Sequence, residues 1–349
     1  MLLWAFVCLL SVVASEAGAA ETTIVTGKPT GTYIRFGQDI AGVARHFGLE
    51  LTVAPSAGSL ENVEAVLRRP RTPLGIVQSD VLDFVATFSD DPDLRATASQ
   101  MRMVFPLYTE EVHLLAGPNV QSLKDLAGKR VAVGSPSSGT LLTSTLVLGT
   151  AGVEPAEEVE IDTDEALAAL RNGQVDAMFY VAGQPARLFA QAVTEADKLH
   201  LVAITDPEVV EVYQRSLIPA GAYPWQKTEV ATVGVRAVLM TYDYSSRTAY
   251  QRAACDTVGK IARMIASNLD WLRGAGRGHP KWQEVDLAAE QVQWRRSACA
   301  EKGLRGPVDY VVTPKVPTCD GIDNPIRHKL CLVKQQMRQE APQASARIM

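Results

Sequence analysis

The chain has 349 residues, 47% of them hydrophobic, with 34 basic and 39 acidic side chains and a formal net charge of -5. That length exceeds what one ordinary hydrophobic core uses, so two lobes are expected, and the composition excludes a disordered chain. The basic residues are scattered, Arg68-Arg69 and Arg295-Arg296 being the densest pairs, which excludes nucleic-acid binding through a basic face.

The stretch from Met1 to about Val13 is nearly all apolar and runs into Ala17-Gly18-Ala19-Ala20, small residues of the kind a signal peptidase requires. Residues 1–20 are therefore expected to be a signal peptide, although no Lys or Arg precedes the apolar run, and the mature chain is expected in the periplasm. The run is shorter than the roughly 20 residues a bilayer span needs.

The mature chain opens with the β-branched run Thr22 to Val25, then Gly27 to Thr32, then Phe36, Ile40, Val43, Ala44 and Phe47 at helical spacing. The same strand-loop-helix rhythm recurs at Leu51 to Val53 with Ser56-Ala57-Gly58-Ser59. It recurs again at Leu74 to Val77 with Gln78-Ser79-Asp80. Three successive units predict a parallel or mixed sheet with helices on its faces.

A second series is read from near Tyr108, with a strand at Val112 to Ala116, a helix start at Ser122-Leu123-Lys124-Asp125 and a strand at Arg130 to Val133. Gly134 to Thr140 then leads into a helix through Leu141, Leu142, Thr145 and Leu148. Thr163 is the candidate N-cap of the next helix, which Asn172-Gly173 stops, and Val175 to Tyr180 is a strand. The apolar run Val230 to Met240 suits a strand returning to the first lobe, and Arg247 to about Leu272 reads as one or two helices. The expected organisation is a discontinuous lobe 1 (residues 21–107 and 224–294), lobe 2 (108–223), and a loop-rich, disulfide-bearing extension (295–349).

Without the signal peptide, four cysteines remain: Cys255, Cys299, Cys319 and Cys331. An even number in an oxidising compartment points to two bridges, and of the three possible connectivities Cys255 with Cys299 and Cys319 with Cys331 is the expected one. No Cys-x-x-Cys and no i, i+4 pairing of the histidines suggests a metal site. No cofactor is expected.

Each strand-loop-helix junction sets Gly, Ser and Thr at a helix N-terminus, where unpaired N–H groups and the helix dipole favour an anion. Several such ends facing one cleft would make a carboxylate site.

Three runs carry a family resemblance: Thr26-Gly27-x-x-Thr30-Gly31-Thr32-Tyr33, Ser56-Ala57-Gly58-Ser59-x-x-Asn62, and Gly75-Ile76-Val77-Gln78-Ser79-Asp80. In the second half, Ser138-Gly139-Thr140, Phe179-Tyr180-Val181-Ala182-Gly183-Gln184-Pro185 and Pro219-Ala220-Gly221-x-Tyr223-Pro224 follow in the same order. From about residue 22 to 270 the chain resembles the TAXI-type receptors of tripartite ATP-independent periplasmic (TRAP) transporters.

The resemblance implies an α/β type 2 periplasmic-binding fold, with two lobes, a hinge and a cleft, and no catalytic activity. Its ligand would be a small anion, a carboxylate or amino acid such as glutamate or 2-oxoglutarate, delivered to TRAP membrane subunits. Carried over by motif, the contacts from lobe 1 are Gly27, Thr32, Tyr33, Ser59 and Asn62, followed by Gln78, Ser79 and Asp80. From lobe 2 they are Ser138, Gly139, Thr140, Gly183, Gln184 and Pro185. Thr32, Ser59 and Thr140 would donate to carboxylate oxygens, and Asp80 would accept from a ligand ammonium or simply stabilise its own helix. The chain departs from the family's glycine-rich first loop at Lys28-Pro29 and Ile34-Arg35, where either cation is a candidate partner for a carboxylate.

Two other functions are weighed. A periplasmic sensor or adaptor would use the same cleft and address a partner protein through the Cys-bearing tail. An enzyme would need a nucleophile, but Gly134 to Gly139 misses the Gly-x-Ser-x-Gly spacing by one residue, and neither a dinucleotide fingerprint nor a phosphate loop is present.

Overall fold

The structure is a computed structural model that describes residues 22–88, 92–244, 248–289, 294–307, 310–312 and 329. The expected signal peptide and the expected Cys319–Cys331 bridge lie outside the described residues. The described residues up to Tyr310 belong to the first, compact unit of two. The architecture below is that of the first.

In chain order, β1 (Thr22–Val25) leads into α1 (Thr32–His46), β2 (Leu51–Ala54) into α2 (Ser59–Arg68), and β3 (Leu74–Gln78) directly into α3 (Ser79–Phe88), with α4 (Pro92–Ser99) after it. The long strand β4 (Met101–Ala116) follows, then β5 (Arg130–Ala132), α5 (Gly139–Ala151), β6 (Glu157–Val159), α6 (Thr163–Arg171) and β7 (Ala177–Ala182). The chain continues through α7 (Arg187–Ala192), β8 (His200–Leu201), α8 (Pro207–Val212), β9 (Gln214–Ile218) and the second long strand, β10 (Val230–Tyr242). It closes with α9 (Ala249–Ser267), α10 (Leu269–Arg273) and α11 (Ala298–Leu304).

All ten strands join one mixed sheet in the order β2-β1-β3-β10-β4-β7-β5-β6, with β8 on β4 and β9 on β10. One pattern is used twice. In the first half β2, β1 and β3 are parallel and β10 runs antiparallel beside β3. In the second half β6, β5 and β7 are parallel and β4 runs antiparallel beside β7. Each half thus borrows its antiparallel strand from a long segment that also pairs in the other half, the arrangement of the type 2 periplasmic-binding fold. The expected α/β class holds.

The strand expected at Val112 is the end of a 16-residue strand that begins at Met101. Pro106 sits inside it beside a register shift between Arg236 and Val238, the kind of irregularity at which a sheet tolerates proline. Successive β4 side chains serve opposite faces. Leu114 joins the core formed with Val131, Val147 and Phe179, while Leu115 joins the one formed with Leu167, Met178 and Phe189.

Residues 294–307 depart from the expected loop. Ser297 caps α11 by accepting from the Ala300 N–H, and the helix lies against α9. A Cβ on Gly303 would fall 2.0 Å from the Gly259 carbonyl oxygen, so two glycines allow the close approach. The Cys255–Cys299 disulfide, expected from sequence, ties the same two helices.

Candidate ligand-binding site

In an open α/β sheet a ligand crevice forms beyond the carboxyl ends of the parallel strands. Here the chain leaves β1 at Gly27, β3 at Gln78, β5 at Ser135 and β7 at Ala182, and all four exits border one cleft with about 70 Å³ of free volume. Four helices start at the same place: Thr32 opens α1, Ser59 opens α2, Gly139 opens α5 and Thr163 opens α6. Four helix N-termini, with Gln78 just ahead of a fifth, direct their positive ends at a space sized for a small molecule.

Local chemistry fixes these ends. Gly58, with φ of 139°, holds a conformation closed to most side chains, and a Cβ there would approach the Ser138 Cα to 3.1 Å. The N-terminus of α2 therefore lies directly against that of α5, and the Leu60 N–H donates to the Ser137 carbonyl at 3.2 Å. The Ser138 hydroxyl accepts from the Leu141 N–H as the N-cap of α5.

Eight of the residues read from sequence line this cleft: Gly27, Thr32, Tyr33 and Ser59, then Gln78, Ser138, Gly139 and Thr140. Their hydroxyls are not all free for a ligand. Thr32 donates to the Gly183 carbonyl at 3.1 Å, and the Ser59 oxygen accepts from the Gln78 N–H at 3.1 Å while its hydroxyl bonds to Tyr33. Thr140 accepts from the Val181 N–H at 3.2 Å, which leaves its own proton to donate. Gln78 is 2% exposed, and its Oε1 has no partner among the described residues, so the cleft offers a ligand donor one waiting acceptor.

The other six residues are near the cleft but do not line it. The Asn62 amide donates to the Ile76 and Thr26 carbonyls and its oxygen accepts from Ser56, so it braces the loop after β1. Asp80 accepts from Thr143 at 2.8 Å and from Tyr213 at 3.4 Å, so it joins α3 to the second half of the sheet. Ser79 is the first residue of α3. Gly183 supplies the carbonyl that receives Thr32, and Gln184 donates its N–H to Glu111 and its amide to the Leu217 carbonyl. Pro185 borders an adjoining cavity of about 360 Å³ together with Arg35 and Arg187. The N-cap of α6 is Asp162 and not the expected Thr163, and its carboxylate pairs with Lys28 at the rim of the cleft. Lys28 therefore lines the cleft with its charge already partnered.

A sequence model of the NMT1-like family matches residues 24–289, well over half of the chain. The chain belongs to the NMT1-like family. Among solved structures, this NMT1-like chain is similar to a protein of Bordetella bronchiseptica RB50, at 18% identity over 85% of this chain and 86% of that one, with a TM-score of 0.47. It is also similar to the periplasmic binding protein BugD, at 11% identity over 81% and 94% with a TM-score of 0.47. A third is the periplasmic sulfonate-binding protein SsuA from Methylobacillus flagellatus KT, at 15% identity over 74% and 70% with a TM-score of 0.42.

One cleft residue of this NMT1-like chain escaped the sequence reading altogether. Glu110 on β4 is 3% exposed, lines the cleft, and accepts the Tyr33 hydroxyl at 2.5 Å. Burial, with Asp80 and Glu111 adding to it, raises its carboxyl to about 8 against the pull of the Tyr33 hydrogen bond and Lys281. Burial likewise holds the Tyr33 hydroxyl well above its ordinary range. The neighbouring Glu111 faces the other side of the strand and ion-pairs with the buried Lys281 at 2.6 Å. Lys281 is carried on a turn that Trp282 anchors by stacking on Phe36, with ring centroids 4.4 Å apart. A carboxylate pair inside an apolar strand was the available signal, because a buried polar group is the informative departure from pattern. Among the described residues no cluster of His, Cys, Asp or Glu could hold a metal, and no helix is long and apolar enough to cross a membrane.

Proposed function

We propose that this chain is an exported solute receptor that encloses a small carboxylate, such as glutamate or 2-oxoglutarate, in the cleft between the two halves of its sheet. It acts as a TAXI-type receptor and hands its ligand to the membrane subunits of a TRAP transporter. The observation that carries the reading is the convergence of the N-termini of α1, α2, α5 and α6 on one small space, a concentration of unpaired donors suited to an anion. The two halves are the lobes that close on the ligand. Export accords with the Cys255–Cys299 disulfide, a bond of oxidising compartments, and with the apolar leader at residues 1–20. A binding role in place of a catalytic one accords with two of the three serines that line the cleft: Ser138 caps a helix and Ser59 is engaged by Gln78 and Tyr33.

The test is a thermal-shift screen of the mature chain against amino acids, dicarboxylates and oxoacids. A ligand at a hundredfold excess over Kd stabilises by about 2.7 kcal/mol. No shift with any carboxylate, and none carried through purification, would remove the reading.

A further inference from the structure

Resting on the carboxylate reading of the cleft, we propose that Glu110 is its specificity-determining acid: it carries a proton on Oε1 and donates it to an oxygen of the bound anion, so that anion and proton are captured together. The Tyr33 hydroxyl occupies Oε2 at 2.5 Å, and Oε1 has no hydrogen-bond partner among the described residues. The proton therefore belongs on the oxygen left to the cleft.

The charges around Glu110 explain why it must be neutral beside an anion. Tyr33 faces it from α1, Asp80 from α3, Tyr108 and Glu111 from β4, and Tyr180 from β7. Lys281 is the cation within reach, but its ammonium is bound to Glu111 at 2.6 Å and to Glu284 at 2.8 Å. Lys28, at the rim, is paired with Asp162. An ionised Glu110 would set a second, uncompensated negative charge beside the ligand within a cleft of about 70 Å³. A protonated Glu110 instead adds a donor to those of the surrounding helix ends, as a buried neutral acid can. The rise of its carboxyl to about 8 agrees.

Linkage gives the sign. Capture favours the protonated acid, so affinity is level while the free protein holds the proton and falls once the pH exceeds about 8. The experiment is calorimetric titration of the mature chain with succinate and with 2-oxoglutarate from about pH 6.5 to about pH 9.5, a window in which neither probe titrates. Each titration is run in two buffers of different ionisation heat. The expected result is a loss of about tenfold in affinity per pH unit above pH 8, with uptake approaching about one proton per ligand, and a flat profile without uptake in Glu110→Gln. If that variant does not fold, the buffer-pair comparison on the native chain still decides. Binding with a flat profile in the native chain would overturn the proposal and leave the carboxylate reading standing. Affinity that rises with pH would overturn it, because capture would then favour the ionised form of Glu110. If neither probe binds at any pH, the carboxylate reading fails and the proposal with it.

Discussion

The Thr143 hydroxyl on α5 donates to the Asp80 carboxylate on α3 at 2.8 Å, joining the two halves of the sheet beside the cleft. Thr32 and the Gly183 carbonyl form a second such tie at 3.1 Å. A hydrogen bond to a charged group contributes about 1.5–3 kcal/mol. Thr143→Val removes one and, on the proposed closure of the two halves about the ligand, disfavours the closed arrangement. The expected outcome is a loss of about tenfold in carboxylate affinity with unchanged ligand preference, read by titration calorimetry. Undiminished affinity would show that this tie does not hold the cleft closed.

Gly139 gives a way to fill the cleft without breaking the fold. A Cβ there would lie 1.7 Å from Gln78 Oε1, 2.5 Å from Gln78 Cδ and 2.8 Å from Ser59 Oγ, so the Gln78 side chain must swing aside to admit it. Gly139 carries a helical conformation that alanine adopts freely. Gly139→Ala should weaken ligand binding by about tenfold or more while lowering stability by about 1 kcal/mol, at the mild end of overpacking. Urea unfolding and ligand titration on the same sample separate the two effects.

His113 sets an acid limit on stability. Its Nδ1 lies 2.9 Å from the Glu111 carbonyl and 3.2 Å from that of Tyr180, so it carries the proton, and Nε2 accepts from the Tyr223 hydroxyl at 2.7 Å. Burial lowers its pKa to about 4, below that of the unfolded chain. The unfolded state therefore binds more protons between pH 4 and 6.5, and the stability from neutral His113 is lost as the pH falls through that window. The native chain should lose about 2 kcal/mol more than His113→Gln between pH 7 and pH 5. Parallel pH curves for the two proteins would contradict this assignment.

The Cys255–Cys299 bridge closes a separation of 44 residues. Restricting a loop of that length in the unfolded chain stabilises by about 4 kcal/mol. Denaturant midpoints measured with and without reductant should differ accordingly. A difference below about 1 kcal/mol would mean that the packing of Gly303 on Gly259 holds α11 in place without the bond.

Much of the fold was legible because the first three units pair a β-branched run with a glycine or serine turn and a 3.6-residue apolar period. The residues read from sequence that line the cleft, among them Thr32, Ser59, Gly139 and Thr140, stand at or next to helix starts, where local pattern and position coincide. The start of β4 was missed because Thr109, Glu110, Glu111 and His113 interrupt its apolar run. The two acids and the histidine are tolerated through distant partners: Tyr33 for Glu110, Lys281 for Glu111 and Tyr223 for His113. Asp80, Asn62 and Gln184 read as ligand contacts in a motif, but each also spends polar atoms on the chain itself: Asp80 Oδ2 on Thr143, the Asn62 amide on the Ile76 carbonyl and the Gln184 amide nitrogen on the Leu217 carbonyl. No spacing rule tells a polar side chain that braces a loop from one that faces a ligand.

The central claim is that the converging helix ends bind a carboxylate. A crystal structure of the mature chain with whichever carboxylate gives the largest thermal shift tests it most directly. The expected density places the carboxylate oxygens at the N-termini of α1, α2 and α5, with Thr140 donating and Glu110 at the floor. A ligand seated instead in the adjoining cavity beside Arg35 and Arg187, or one that turns a cationic group toward the helix ends, would contradict it.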